Sequence, residues 1–115
     1  MSKSFNDITK HVSSNMVKLS KSVPETTKAF SQLSAAATAD GVLDKKTKEL
    51  IALALAVGAR CDACIGFHTK ALVRLGATEQ EVAETLGVCV AMGGGPSMMY
   101  AAEAVASFNE FSKAD

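Results

Sequence analysis

ELIALALAVGARCDACIGFH, residues 49–68, joins a strongly apolar run to a Cys-x-x-Cys-x-x-x-His cluster. The apolar half, Leu50 to Val57, lacks the apolar–polar alternation of a half-buried strand. It follows a charged start (Lys45, Lys46, Lys48, Glu49) that suits the exposed first turns of a helix. We read a helix over roughly 45–59 that is buried on all sides in its second half. Glu49 then shares a face with Ala52, Leu53 and Ala56, where small side chains admit a second helix closely.

That second helix carries the cluster, from Cys61 to about Leu75. At 100° per residue, Cys64 lies about 60° and His68 about 20° from Cys61, so the three share one face with Ile65, Leu72 and Leu75. Asp62, Thr69, Lys70 and Arg74 fall well away from it. The reactive trio therefore points into the apolar stripe, where polar groups need partners. If the two helices form an antiparallel hairpin turning near Gly58–Arg60, Glu49 and His68 come to nearly the same height. A carboxylate facing an imidazole fixes its tautomer and orientation. The expectation is a relay from Glu49 to His68 to a thiol.

Two cues bear on which thiol attacks. Cys64 is four residues before His68, within reach of the base, whereas Cys61 is nearer the helix start and favoured by its dipole. The base decides for Cys64, and Cys61 is placed to resolve a Cys64 sulfenic acid into a disulfide. Two other readings of the cluster are a zinc site, which needs a fourth ligand from Glu49 or a neighbouring subunit, and a purely packed core. Cys89 stands alone on an apolar stripe and reads as packing.

Working outward, Phe5, Ile8, Val12 and Leu19 sit at helical spacing over roughly 4–21. His11, alone there, has no assigned role. Pro24 suits the first turn of a second helix, continued by Phe30, Leu33 and Ala37 and ended by the Asp40-Gly41 turn signal. Asp44 is placed to cap the third helix, and Gly76 to stop the fourth. Thr78-Glu-Gln-Glu81 is a capping box for a fifth, about 79–92, striped by Val82, Leu86, Cys89 and Val90. Gly93-Gly94-Gly95-Pro96 has neither a preceding strand nor a following Lys-Ser/Thr, so it is no P-loop. We read it as a turn into a sixth helix, about 97–112, with Met98, Met99, Ala102, Val105 and Phe108 apolar. The reading is all-α, one domain over 1–115.

The totals limit the function classes. Lys+Arg and Asp+Glu balance at 12 each, which argues against nucleic acid or an anionic membrane as main partner. No apolar run reaches the length of a membrane span. The start, Met1 to Asp7, lacks the apolar core of a signal peptide, so a cytoplasmic location is expected. Three cysteines in such a chain suggest redox or metal chemistry in place of a structural disulfide framework. A hydrophobic fraction of 48% in so small a chain leaves more apolar surface than one core hides, which predicts homo-oligomers.

Glu49, then Cys61-x-x-Cys64, then His68 together resemble the AhpD-like alkylhydroperoxidases of the carboxymuconolactone decarboxylase family, over roughly Asp40 to Phe108. The resemblance implies an all-α fold assembled as trimers or hexamers. It implies a hydroperoxide substrate, Cys64 as the peroxidatic and Cys61 as the resolving cysteine, and His68 with Glu49 as the proton relay. An external dithiol would be the reductant, without haem, flavin or other cofactor. Ala63 stands where some peroxidase members have a second histidine. The true decarboxylases of the family generally lack the cysteine pair. A disulfide carrier or redox sensor, and a lyase using Glu49 and His68 as acid and base, are the alternative functions.

Overall fold

The computed structural model describes residues 3–113; Met1 and Ser2, part of the N-terminal stretch read above, lie outside them. The chain is helical throughout its elements: α1 (Phe5–Ser22), α2 (Pro24–Thr38), α3 (Lys45–Gly58), α4 (Asp62–Arg74) and α5 (Glu79–Lys113). No strand occurs among the described residues. No helix among them is long and apolar enough to cross a membrane.

The helix starts follow local chemistry. Asp44 accepts from the Thr47 N–H at 2.8 Å and starts α3. Thr78 and Glu81 form the reciprocal capping box of α5, at 3.0 and 2.9 Å. Pro24 occupies the first turn of α2. The expected fifth and sixth helices are one element, α5, kinked at Gly94. Gly94 has φ 71° and ψ −150°, a conformation open essentially to glycine alone. The Gly93–Pro96 run is thus a bend between two helical arms, not a loop: Pro96 has no N–H, and in the first turn of the second arm none is needed.

α3, α4 and α5 form the centre, and α1 lies across α4 and α5. Phe5, Leu53, Val57, Ile65, Leu72, Val82, Leu86, Ala104 and Phe108 make the core, each large side chain stabilising the fold by about 1.5–3 kcal/mol. α1 reaches α4 at Gly66, where an added Cβ would come within 2.6 Å of Thr9 Cγ2 and 3.6 Å of Phe5. Only a bare backbone fits there.

Four expectations change. Thr69, assigned to the outer side of α4, is fully buried: its hydroxyl bonds the Ile65 carbonyl at 2.8 Å and Ser107 Oγ at 2.6 Å. α1 and α5 flank α4 on more than one side, so the buried arc is wider than the stripe. Leu75 is exposed, because it is the cap of α4 and no longer in its regular turn. Val12 is half-buried and Leu19 exposed, since the second half of α1 extends past the core. Ile51 and Leu55, expected to be enclosed, are exposed on α3, and so are Met98, Met99, Ala102 and Val105 on α5.

α1 is tied down by a residue the sequence reading passed over. Glu110 accepts from Ser4 Oγ at 2.8 Å, from the Phe5 N–H at 2.8 Å and from the Asn6 N–H at 3.2 Å. Burial pushes its pKa up, but the hydrogen bonds from Ser4, Phe5 and Asn6 outweigh that and hold it below the usual 4.5. A lowered folded pKa means stability that is present above the unfolded value and lost as pH falls through the folded one. Glu110→Gln is therefore expected to cost about 0.5–2 kcal/mol at neutral pH, as loss of a helix cap does. Denaturant melts from pH 7 down to 2 check this: the wild type loses its advantage over the variant on acidification below 4.5.

Candidate active site

The turn between α3 and α4 sets the site. Ala59 closes α3, and Arg60 follows with φ 58°, a left-handed position more often held by glycine. The Cys61 N–H then bonds back to the Ala56 carbonyl at 3.1 Å, so α4 starts directly against α3. Cys61 is not inside α4 but is its N-cap: its sulfur accepts from the Cys64 N–H at 3.2 Å. An N-cap sulfur sits at the positive end of the helix dipole, where negative charge is stabilised.

Cys61 and Cys64 are joined as a disulfide, with Cα atoms 5.2 Å apart. Both are half-buried. The hairpin brings Glu49 against His68: Nδ1 of His68 lies 2.6 Å from Glu49 Oε2. Glu49 is 7% exposed, and the His68 side chain 32% exposed. A Glu49 carboxylate accepts from Nδ1–H, which in the neutral ring leaves Nε2 as the acceptor. One edge of the imidazole is therefore held by a buried acid while the ring keeps access to solvent. The structure brings Cys61 to Cys64 and Glu49 to His68, and Cys64 stands one helical turn before His68 on α4.

Two charged residues join them. Asp62, the first residue of α4, pairs with Lys3 Nζ at 3.0 Å, and Lys3 also lies 5.6 Å from the centre of the Tyr100 ring. The pairing with Asp62 raises the Lys3 pKa. The signal in the sequence was an acid between two cysteines; its partner, 59 residues away, had none. Ala63 is half-buried and brings no second imidazole. Cys89 lies apart from this site, facing the carbonyls of Ala54 and Thr85. Burial raises its pKa, which keeps it a protonated packing thiol.

The sequence model of the carboxymuconolactone decarboxylase family matches residues 24–107. A solved carboxymuconolactone decarboxylase family protein of Legionella pneumophila, in its apo form, is similar at 59% identity and TM-score 0.93, over 95% of this chain and 97% of that one. A Thermotoga maritima family protein, for which a part in the antioxidative response has been suggested, is 36% identical with TM-score 0.69, over 74% of this chain and 88% of that one. An uncharacterised protein of Cupriavidus necator is 46% identical over 79% of this chain and 80% of its own length.

Proposed function

The chain belongs to the carboxymuconolactone decarboxylase family, and from that premise we propose that it is a thiol-dependent hydroperoxide reductase. One observation carries the reading: a disulfide-bonded Cys61–Cys64 pair at the start of the helix whose His68 is held by a buried Glu49. The antioxidative role suggested for the Thermotoga relative agrees with it.

In the reduced protein, Nε2 of His68, one helical turn beyond Cys64, takes the Cys64 thiol proton. The Cys64 thiolate attacks an oxygen of ROOH, the O–O bond breaks, and the leaving RO⁻ takes a proton from His68. The products are ROH and a Cys64 sulfenic acid. Cys61 then attacks the Cys64 sulfur and expels water, forming the disulfide. An external dithiol returns two electrons and two protons by exchange. Glu49 holds the Nδ1 proton throughout and stabilises the imidazolium that forms between the two proton transfers.

The test is steady-state consumption of an alkyl hydroperoxide by the purified protein with a dithiol such as dithiothreitol. Consumption above the uncatalysed rate supports the reading. Dithiol–disulfide exchange without peroxide loss would instead make the pair a disulfide carrier, which the same disulfide also suits.

The working form is proposed to be a homo-oligomer, a trimer or hexamer. α2 has no buried residue, and an isolated 15-residue helix is marginal in water. Phe30 on it is 68% exposed, and Leu33, Met16, Val17 and Leu19 are exposed around it. Light scattering is expected to give a multiple of the 11.9 kDa chain, reduced in Phe30→Asp. A wild type that stays monomeric at micromolar concentration would refute the assembly.

A further inference from the structure

The first turn of α4 concentrates negative charge when the disulfide opens. Cys61 caps the helix, Asp62 is its first residue, and Cys64 follows within the turn. Asp62 directly follows Cys61 and stands two residues before Cys64, and a carboxylate near a thiolate opposes its charge. Oδ1 of Asp62 is buried without a hydrogen-bond partner among the described residues, so no neutral donor there offsets the charge. The compensation comes from far along the chain: Lys3 Nζ, 3.0 Å from Oδ2.

Lys3 is not left to wander. Ser4, Phe5 and Asn6 directly after it are all bonded to Glu110, and Phe5 is fully buried. The ammonium is also near the face of Tyr100, an arrangement that attracts cations. Other charged or titratable groups near the turn include Arg60, just before Cys61, and Tyr100 and Glu103 on α5. Of these, Glu103 and Tyr100 act on Lys3.

We infer that Lys3 is a positioning residue for the redox step, setting the reactivity of the Cys61–Cys64 pair by neutralising Asp62. The inference rests on the proposed dithiol–disulfide cycle but not on peroxide as its oxidant. Opening the disulfide with two electrons and two protons gives two thiols, and a thiolate left when one of them gives up its proton gains from Lys3 and loses from Asp62. Lys3 ties the N-terminal segment to the redox centre, so that the arm fastened by Glu110 tunes a thiol pair on another helix.

The test measures alkylation of the reduced pair by iodoacetamide at pH 7, located by peptide mass spectrometry, and the equilibrium of the pair with dithiothreitol. Neither uses peroxide, so failure of the peroxidase reading is scored separately. Lys3→Ala is expected to slow alkylation about two- to fivefold, the range that a half-exposed ion pair carries. It also shifts the equilibrium towards the disulfide. Asp62→Asn moves both the other way, Lys3→Arg keeps wild-type values, and Lys3→Ala has much less effect when Asp62 is already Asn. In 1 M salt, where charges are screened within about 3 Å, the effect of Lys3→Ala shrinks. An unchanged alkylation rate in Lys3→Ala, or an equal loss with and without Asp62, or a loss that salt leaves intact, would each overturn the inference.

Discussion

Cys64→Ser is expected to end dithiol-dependent peroxide turnover, a loss on the order of a thousandfold or more. The substitution replaces sulfur by oxygen and changes little else. A serine hydroxyl at neutral pH is almost wholly protonated and a poor nucleophile for peroxide oxygen, whereas a thiolate is a strong one. Because Cys64 is half-buried and its backbone N–H, not its sulfur, caps against Cys61, the helix start survives. The reduced wild type and the variant should therefore melt alike. Cys61→Ser separates the two thiols. It still reacts once with peroxide, then stops at a Cys64 sulfenic acid or a mixed disulfide with the reductant, seen as an added mass on the Cys64 peptide. If Cys61→Ser lost the first reaction and Cys64→Ser retained it, the roles of the pair would be reversed. That outcome has a physical basis, since the N-cap position of Cys61 also favours a thiolate.

The second large effect concerns the pair that moves the proton. His68→Gln removes the base and is expected to lower kcat/KM by about 10²–10⁴, the usual contribution of a positioned acid–base group. It also leaves Glu49, 7% exposed, without its 2.6 Å partner. An unsatisfied buried carboxylate adds a stability cost of about 1–3 kcal/mol or more. Glu49→Gln keeps the shape and a hydrogen-bonding oxygen but withdraws the charge that stabilises the imidazolium. A loss of about 10–100-fold is expected, comparable with loss of an orienting partner in other relays. The double variant should be little slower than His68→Gln alone, because both act through one imidazole. Losses that multiply would show that Glu49 serves the reaction independently of His68.

How much of this was legible depends on range. The helix starts at Asp44 and Thr78 are written in neighbouring residues, and the caps form as those residues dictate. The Glu49–His68 contact was legible because a short hairpin converts sequence distance into height along two helices. The kink at Gly94 was marked as a break but not as a continuous bend, since glycine and proline signal an interruption without its angle. Thr69 shows the limit of a wheel: its placement depends on how many neighbours a helix has, and α4 is flanked by α1, α3 and α5. Glu110 and Lys3 were illegible altogether. Each acts across about a hundred or about sixty residues, and nothing local distinguishes them from surface charges. Ile51, Leu55 and Phe30 were read as buried or striped from hydropathy alone, and in the single chain they face outward.

The central claim is that peroxide is reduced by the Cys61–Cys64 pair itself. The most direct measurement mixes pre-reduced protein with a limiting amount of alkyl hydroperoxide and no recycling dithiol. Peroxide consumed is then compared with Cys61–Cys64 disulfide formed, by peptide mass spectrometry. The account predicts one disulfide and one alcohol for each peroxide lost, with Cys89 unmodified. Peroxide left intact beside free thiols, or peroxide lost while the pair stays reduced, would contradict it.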